Sequence, residues 1–103
     1  MDNKRIEWSS LHDATLDAIN VNWQSGTAIV NLAVEIGTHR WAKVVAQDVS
    51  DMRCPRRRPW GESVSVNEVK QLVPTTLDIE MQSGDVIHIE AKDFSLELTS
   101  DIR

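Results

Sequence analysis

Apolar and polar residues take turns along residues 15–36, and that alternation leaves the segment few structures to choose from. Side chains change face at every residue of a β-strand, so a period of two separates a dry face from a wet one. A two-residue turn at Ser25-Gly26 sets Trp23 opposite Ala28, Val21 opposite Val30 and Ile19 opposite Leu32, all on one face. The other face pairs Asn22 with Ile29 and Asn20 with Asn31. Gly26 supplies the positive φ of a tight hairpin turn. Near Ala18 the phase slips, since Leu16 falls opposite Glu35, and a bulge there restores it. A hairpin cannot bury its apolar face alone, so the remaining chain must provide a second layer.

The same period recurs downstream. After the turn signal Gly37-Thr38, residues 39–53 read as a third strand in which Ala42, Val44 and Ala46 share a face. Its alternation loses clarity after Asp48. Residues 63–73 admit two readings. As a helix, Ser65 and Glu68 have capping-box spacing and Pro74 ends the run. As a strand over residues 63–72, they need a bulge near Asn67 or Glu68, and the β-branched content favours this second form. Leu77, Ile79 and Met81 alternate with polar neighbours, as do Ile87, Ile89 and Ala91. A three-residue loop Ser83-Gly84-Asp85 places Ile79 opposite Ile89 and Met81 opposite Ile87, with His88 facing Glu80; a two-residue loop would turn every side chain over. Lys92-Asp93 interrupts the pattern before Phe94, Leu96 and Leu98 resume it, as a final strand or as the same strand continued past a bulge.

These segments predict an all-β fold: an antiparallel two-layer sandwich or flattened barrel of six to seven short strands. A chain of 103 residues builds one such domain. Residues 1–14 are expected to form a cover in which Trp8 and Leu11 dock on the body, residues 53–62 an Arg/Pro/Trp loop, and residues 99–103 a loose tail. With four Trp, one Phe and no Tyr, the core must be mostly aliphatic, with Trp as large plugs. The net charge of −5 argues against nucleic acid and acidic membrane surfaces as general partners. Cys54 is the lone cysteine, which excludes an intrachain disulfide and suits a reducing compartment. No apolar run resembles a signal peptide or a membrane span, so a cytoplasmic protein is expected.

The sharpest departure from the acidic background is the cluster Arg53, Arg56, Arg57 and Arg58. Four of the 11 basic residues fall there, leaving seven against 16 acidic ones elsewhere. Beside Trp60, such guanidinium groups can clamp a phosphate, a carboxylate or an RNA backbone, with the indole available for stacking. The plainer reading is a solvated loop whose arginines pair with the protein's own acids. In Pro59-Trp60-Gly61, the size of the indole favours an inward plug at one end of the fold. An exposed partner anchor is the alternative. Elsewhere the signals are weak. His12-Asp13 are adjacent residues that rarely converge on one atom, and His12, His39 and His88 lack metal-ligand spacing. Arginines near Cys54 would lower its thiol pKa, but no histidine stands beside it in sequence to act as a base. The expectation is therefore no catalytic, cofactor or metal site. Arg53, Arg56, Arg57, Arg58 and Trp60 are the candidate partner- or anion-binding residues.

Three short motifs carry a resemblance: Leu11-His12-Asp13-Ala14, Pro59-Trp60-Gly61-Glu62-Ser63, and Glu80-Met81-Gln82-Ser83-Gly84-Asp85. With them the chain resembles a set of small, uncharacterised bacterial all-β proteins, loosely similar to immunity proteins of polymorphic toxin systems. That resemblance implies a single β-rich domain that binds another protein. It transfers no catalytic residues. The expected function is a non-enzymatic protein-interaction module, immunity-like in character; the alternative is a binder of small anions or nucleic-acid phosphates using the Arg/Trp60 loop. A homodimer through an exposed edge strand is a further expected partnership.

Overall fold

A computed structural model describes residues 7–100 and shows an all-β fold. Six antiparallel strands are present among them: β1 (Thr15–Asn22), β2 (Thr27–Ile36), β3 (His39–Arg53), β4 (Val66–Val73), β5 (Thr76–Met81) and β6 (Val86–Thr99). They form a single sheet in the order β1-β2-β3-β6-β5-β4. Its two ends meet: Thr15 bridges Ser65, Leu16 N–H donates to the Val64 carbonyl (2.8 Å), and Val66 N–H donates to the Ala14 carbonyl (2.8 Å). The sheet thus curls until its edges touch, which gives two layers from one sheet, as in a flattened barrel.

The strands are less uniform than expected. β3 spans 15 residues and β6 spans 14, and their mutual ladder is the spine of the fold. Both bend midway. Asp48 takes a positive φ of 59°, and the ladder shifts register between Val49 and Asp51. On β6 the inward set changes from Ile87, Ile89 and Ala91 to Phe94, Leu96 and Leu98 across Lys92-Asp93. That bend lets each long strand serve both layers, so the stretch after Lys92 is β6 continued and Thr99 is its last residue. Residues 101–103 of the expected tail lie outside the described residues, as do residues 1–6 of the expected cover.

Register was the main departure. In the first hairpin Val21 pairs with Ala28, Ile19 with Val30 and Leu16 with Leu32, and the bulge lies between Leu16 and Ala18 as expected. The loop holds four residues, 23–26, so the pairing is displaced by two and Trp23 sits in the turn rather than on the apolar face. A two-residue displacement keeps every side chain on its own face, so alternation alone does not oppose it. The β5–β6 hairpin shows the same displacement: Ile79 pairs with Ile87 and Leu77 with Ile89, and His88 therefore faces Asp78, not Glu80. Residues 66–73 are a strand with a register shift between Val66 and Glu68, the position expected for a bulge.

The core is aliphatic. Val30, Leu32, Val44, Leu77, Ile79 and Ile89 are fully buried. Ala28 faces Ala46, and Leu32 faces Ala42, so small residues on β3 let the curled layers approach closely. A 3-10 turn, Trp8–Leu11, lays Trp8 and Leu11 over one end of this core. It is tied to β4 by Trp8 Nε1, which donates to Gln71 Oε1 at 2.9 Å. Among the described residues, no helix is long and apolar enough to cross a membrane.

Candidate functional site

The Arg/Pro/Trp loop is organised by a residue far from it in sequence. Two prolines deprive the loop of ladder hydrogen bonds, so its backbone needs other partners. Asp85, buried at 4% exposure, provides them. Its Oδ1 accepts from Arg57 N–H and its Oδ2 from Arg58 N–H, each at 3.0 Å. Ser83 Oγ donates to the same carboxylate at 3.0 Å. Burial pushes the Asp85 pKa up, but the donors from Arg58, Ser63, Arg57 and Ser83 together outweigh it and hold the carboxyl below the ordinary aspartate range. Successive backbone N–H groups around a carboxylate form a nest, and here the anion is the protein's own. Arg58 adopts a φ of 56° to close it.

This arrangement decides where the side chains go. With the backbone turned inward to Asp85, Arg56, Arg57 and Arg58 are all exposed. Among the described residues none of these three guanidinium groups has an ion-pair partner, so the expected pairing with the protein's own acids is absent at these positions. Arg53 differs. It ends β3, and its Nε lies 3.4 Å from Asp51 Oδ2. Trp60 is not an inward plug. Its backbone N–H donates to the Ser83 carbonyl at 3.0 Å, its ring lies against Gly84, and 78% of the residue is exposed. The indole instead rests on the one residue of the β5–β6 loop that lacks a side chain.

A second exposed indole adjoins the loop. Trp23 is 91% exposed and lines an apolar cleft with Val21, Val49, Met52 and Cys54. Cys54 also lines the neighbouring groove with Arg53, Pro55, Arg57 and His88, so the cleft and that groove meet at Cys54. Alternation alone puts Trp23 on the dry face; the two-residue displacement, which leaves that alternation unchanged, puts it in the turn instead. Nor does alternation single out Asp85. The signal for it was an Asp directly after Ser-Gly in a loop, a common turn residue with no stated target.

Of the other candidates, His12 and Asp13 meet at the surface, with His12 Nε2 3.5 Å from Asp13 Oδ1. His12 donates from Nδ1 to the Asn67 carbonyl at 2.6 Å, and Asp13 accepts from Gln82 Nε2 at 2.6 Å. They form a surface seam between the 3-10 turn and the end of the sheet and line a cavity there with Ser10 and Thr15, where Ser10 Oγ donates to the Glu7 carbonyl at 2.7 Å. Cys54 is exposed as a residue, yet desolvation of its thiol pushes the pKa up, against the lowering expected from nearby arginines. His88 belongs to a denser group. Its Nδ1 donates to Asp78 Oδ1 at 2.6 Å and its Nε2 to Glu90 Oε2 at 3.0 Å. The bonds to Glu90 and then Asp78 raise its pKa, against a smaller lowering by burial.

The fold and this surface define a small all-β domain built from one curled sheet, with a pinned basic loop beside two exposed indoles. Comparison with protein-family models, with curated proteins and with solved structures returned no match.

Proposed function

We propose that this domain is a non-enzymatic protein-interaction module that contacts its partner through Arg56, Arg57, Arg58, Trp60 and the adjoining Trp23 cleft. The carrying observation is the Asp85 nest, which fixes the loop backbone and leaves three guanidinium groups and an indole turned outward. Arginine and tryptophan dominate binding energy at protein interfaces, and a pinned loop loses little entropy on docking. Charge selects the partner. The body is acidic and the loop basic, so the complementary surface is a basic protein carrying an acidic spot opposite the loop. An immunity-like inhibitor of a basic enzyme, such as a nuclease toxin, has these properties. The nest's backbone donors already hold a carboxylate, so the phosphate-binding alternative rests on the guanidinium groups and Trp60 alone.

The test pairs two titrations. Tryptophan fluorescence with nucleotides and short RNA is expected to stay flat up to millimolar ligand. A saturable response abolished by Arg57→Ala and Arg58→Ala would instead establish a phosphate binder. With a protein partner captured from the native host and purified, Trp60→Ala or Trp23→Ala is expected to weaken binding by about 2 kcal/mol, roughly 30-fold. Unchanged affinity in both variants would overturn this surface as the interface.

A further inference from the structure

We propose that Asp51, His88 and Glu90 form a binding site for a divalent transition-metal cation, with zinc the expected occupant. The strand register builds it. Asp51 on β3 lies directly opposite Glu90 on β6, and Asp78 on β5 lies directly opposite His88. His88 and Glu90 are two apart on one strand and so share the outer face of the sheet. One ligand atom from each of Asp51, His88 and Glu90 falls within 4.8 Å of the other two. Glu90 Oε2 stands 3.0 Å from His88 Nε2, a contact the Nε2 proton bridges; a zinc ion with bonds of about 2.0–2.2 Å takes the place of that proton, which leaves to solvent.

A second observation concerns the other ring nitrogen. Asp78 Oδ1 accepts a hydrogen bond from Nδ1 at 2.6 Å, which leaves Nε2 facing Glu90. Metal-binding histidines are held in this way, with a carboxylate on one nitrogen and the ion on the other. Three carboxylates, Asp51, Asp78 and Glu90, stand around one imidazole; among the described residues Arg53 pairs with one of them, its Nε 3.4 Å from Asp51 Oδ2, so an ion there competes with that guanidinium. The side chains are partly exposed and a groove opens beside His88, so an ion can enter and water can complete its shell. An imidazole with two carboxylates suits zinc; magnesium prefers an all-oxygen octahedron.

The experiment is calorimetric titration of the full chain with zinc chloride near neutral pH, with magnesium chloride as comparison. A single saturable zinc site is expected, with magnesium at least about tenfold weaker. Nitrogen-15 spectra should show zinc shifting Nε2 of His88 while His12 and His39 stay in place. His88→Ala should abolish uptake. Asp78→Asn should weaken it by about 10- to 100-fold, because the ring loses its orienting partner. No zinc uptake by the wild-type chain, uptake unchanged in His88→Ala, or shifts confined to His12 or His39 would each overturn the assignment. Should His88→Ala fail to fold by circular dichroism, Glu90→Gln and the wild-type His88 resonance decide the matter.

Discussion

Replacing Gly84 by alanine tests how Trp60 is held. Gly84 has a φ of +97°, and a Cβ built there falls 2.3 Å from Cζ3 and 2.4 Å from Cε3 of Trp60, and 3.1 Å from Cγ of Pro59. Carbon atoms in contact sit about 3.5–4.0 Å apart, so the ring must retreat by more than about 1 Å. It can do so, because 78% of the residue already faces solvent. Two penalties then add. The left-handed backbone costs an alanine about 1–2 kcal/mol. Losing the covered part of the indole costs about 1 kcal/mol, at roughly 25 cal/mol per Å² over some 50 Å². Against these, alanine narrows the unfolded ensemble and returns about 0.4–1 kcal/mol. The net loss is about 1–3 kcal/mol, a fall in Tm of roughly 5–15 °C for a domain of this size. Gly37→Ala is the control: its φ is +58° and nothing lies within 4 Å, so it carries the backbone penalty alone. Thermal unfolding by circular dichroism measures both variants, and the Trp60 indole N–H resonance reports the ring. If Gly84→Ala melts with the wild type, or leaves that resonance unmoved, the seating of Trp60 on Gly84 is refuted.

Asp85→Asn should remove part of the acid sensitivity of the fold. The folded pKa of Asp85 lies below its unfolded value of about 3.9, so its contribution is present above that pH and is lost as pH falls through the folded pKa. Urea midpoints should fall less steeply in the variant than in the wild type as acid is added through that window. Leu32→Ala empties a fully buried position facing Ala42 and should lower unfolding free energy by about 2–5 kcal/mol, whereas Leu72→Ala, 65% exposed, should stay within about 0.5 kcal/mol; urea titration compares them. Trp8→Phe keeps an apolar cap but deprives Gln71 Oε1 of its donor, at about 1 kcal/mol by the same measurement.

Which face each strand buries was legible because the cause is local. Val30, Leu32, Val44, Leu77, Ile79 and Ile87 point inward as their alternation implies, since neighbouring Cβ atoms on a strand cannot share a face. The bulges near Ala18 and Asn67 were legible for the same reason, as breaks in a period of two. The candidate site was legible only as composition. Arg56, Arg57, Arg58 and Trp60 stood out as a basic run beside an indole, but not their direction. Trp23 was assigned to the dry face and lies in the turn.

By itself, then, the order of residues determined an all-β chain, its inward sets and the existence of one contrasting loop, because period and turn chemistry act between near neighbours. The tertiary structure decided three further things: pairing two residues out from the tightest turns, a sheet curled until its edges meet, and a loop fastened to Asp85 from 28 residues away. The physical reason is degeneracy. A shift of two residues preserves every face, so only the packing of distant strands separates one register from the next, and only a long-range carboxylate tells a proline-rich backbone which way to turn its arginines.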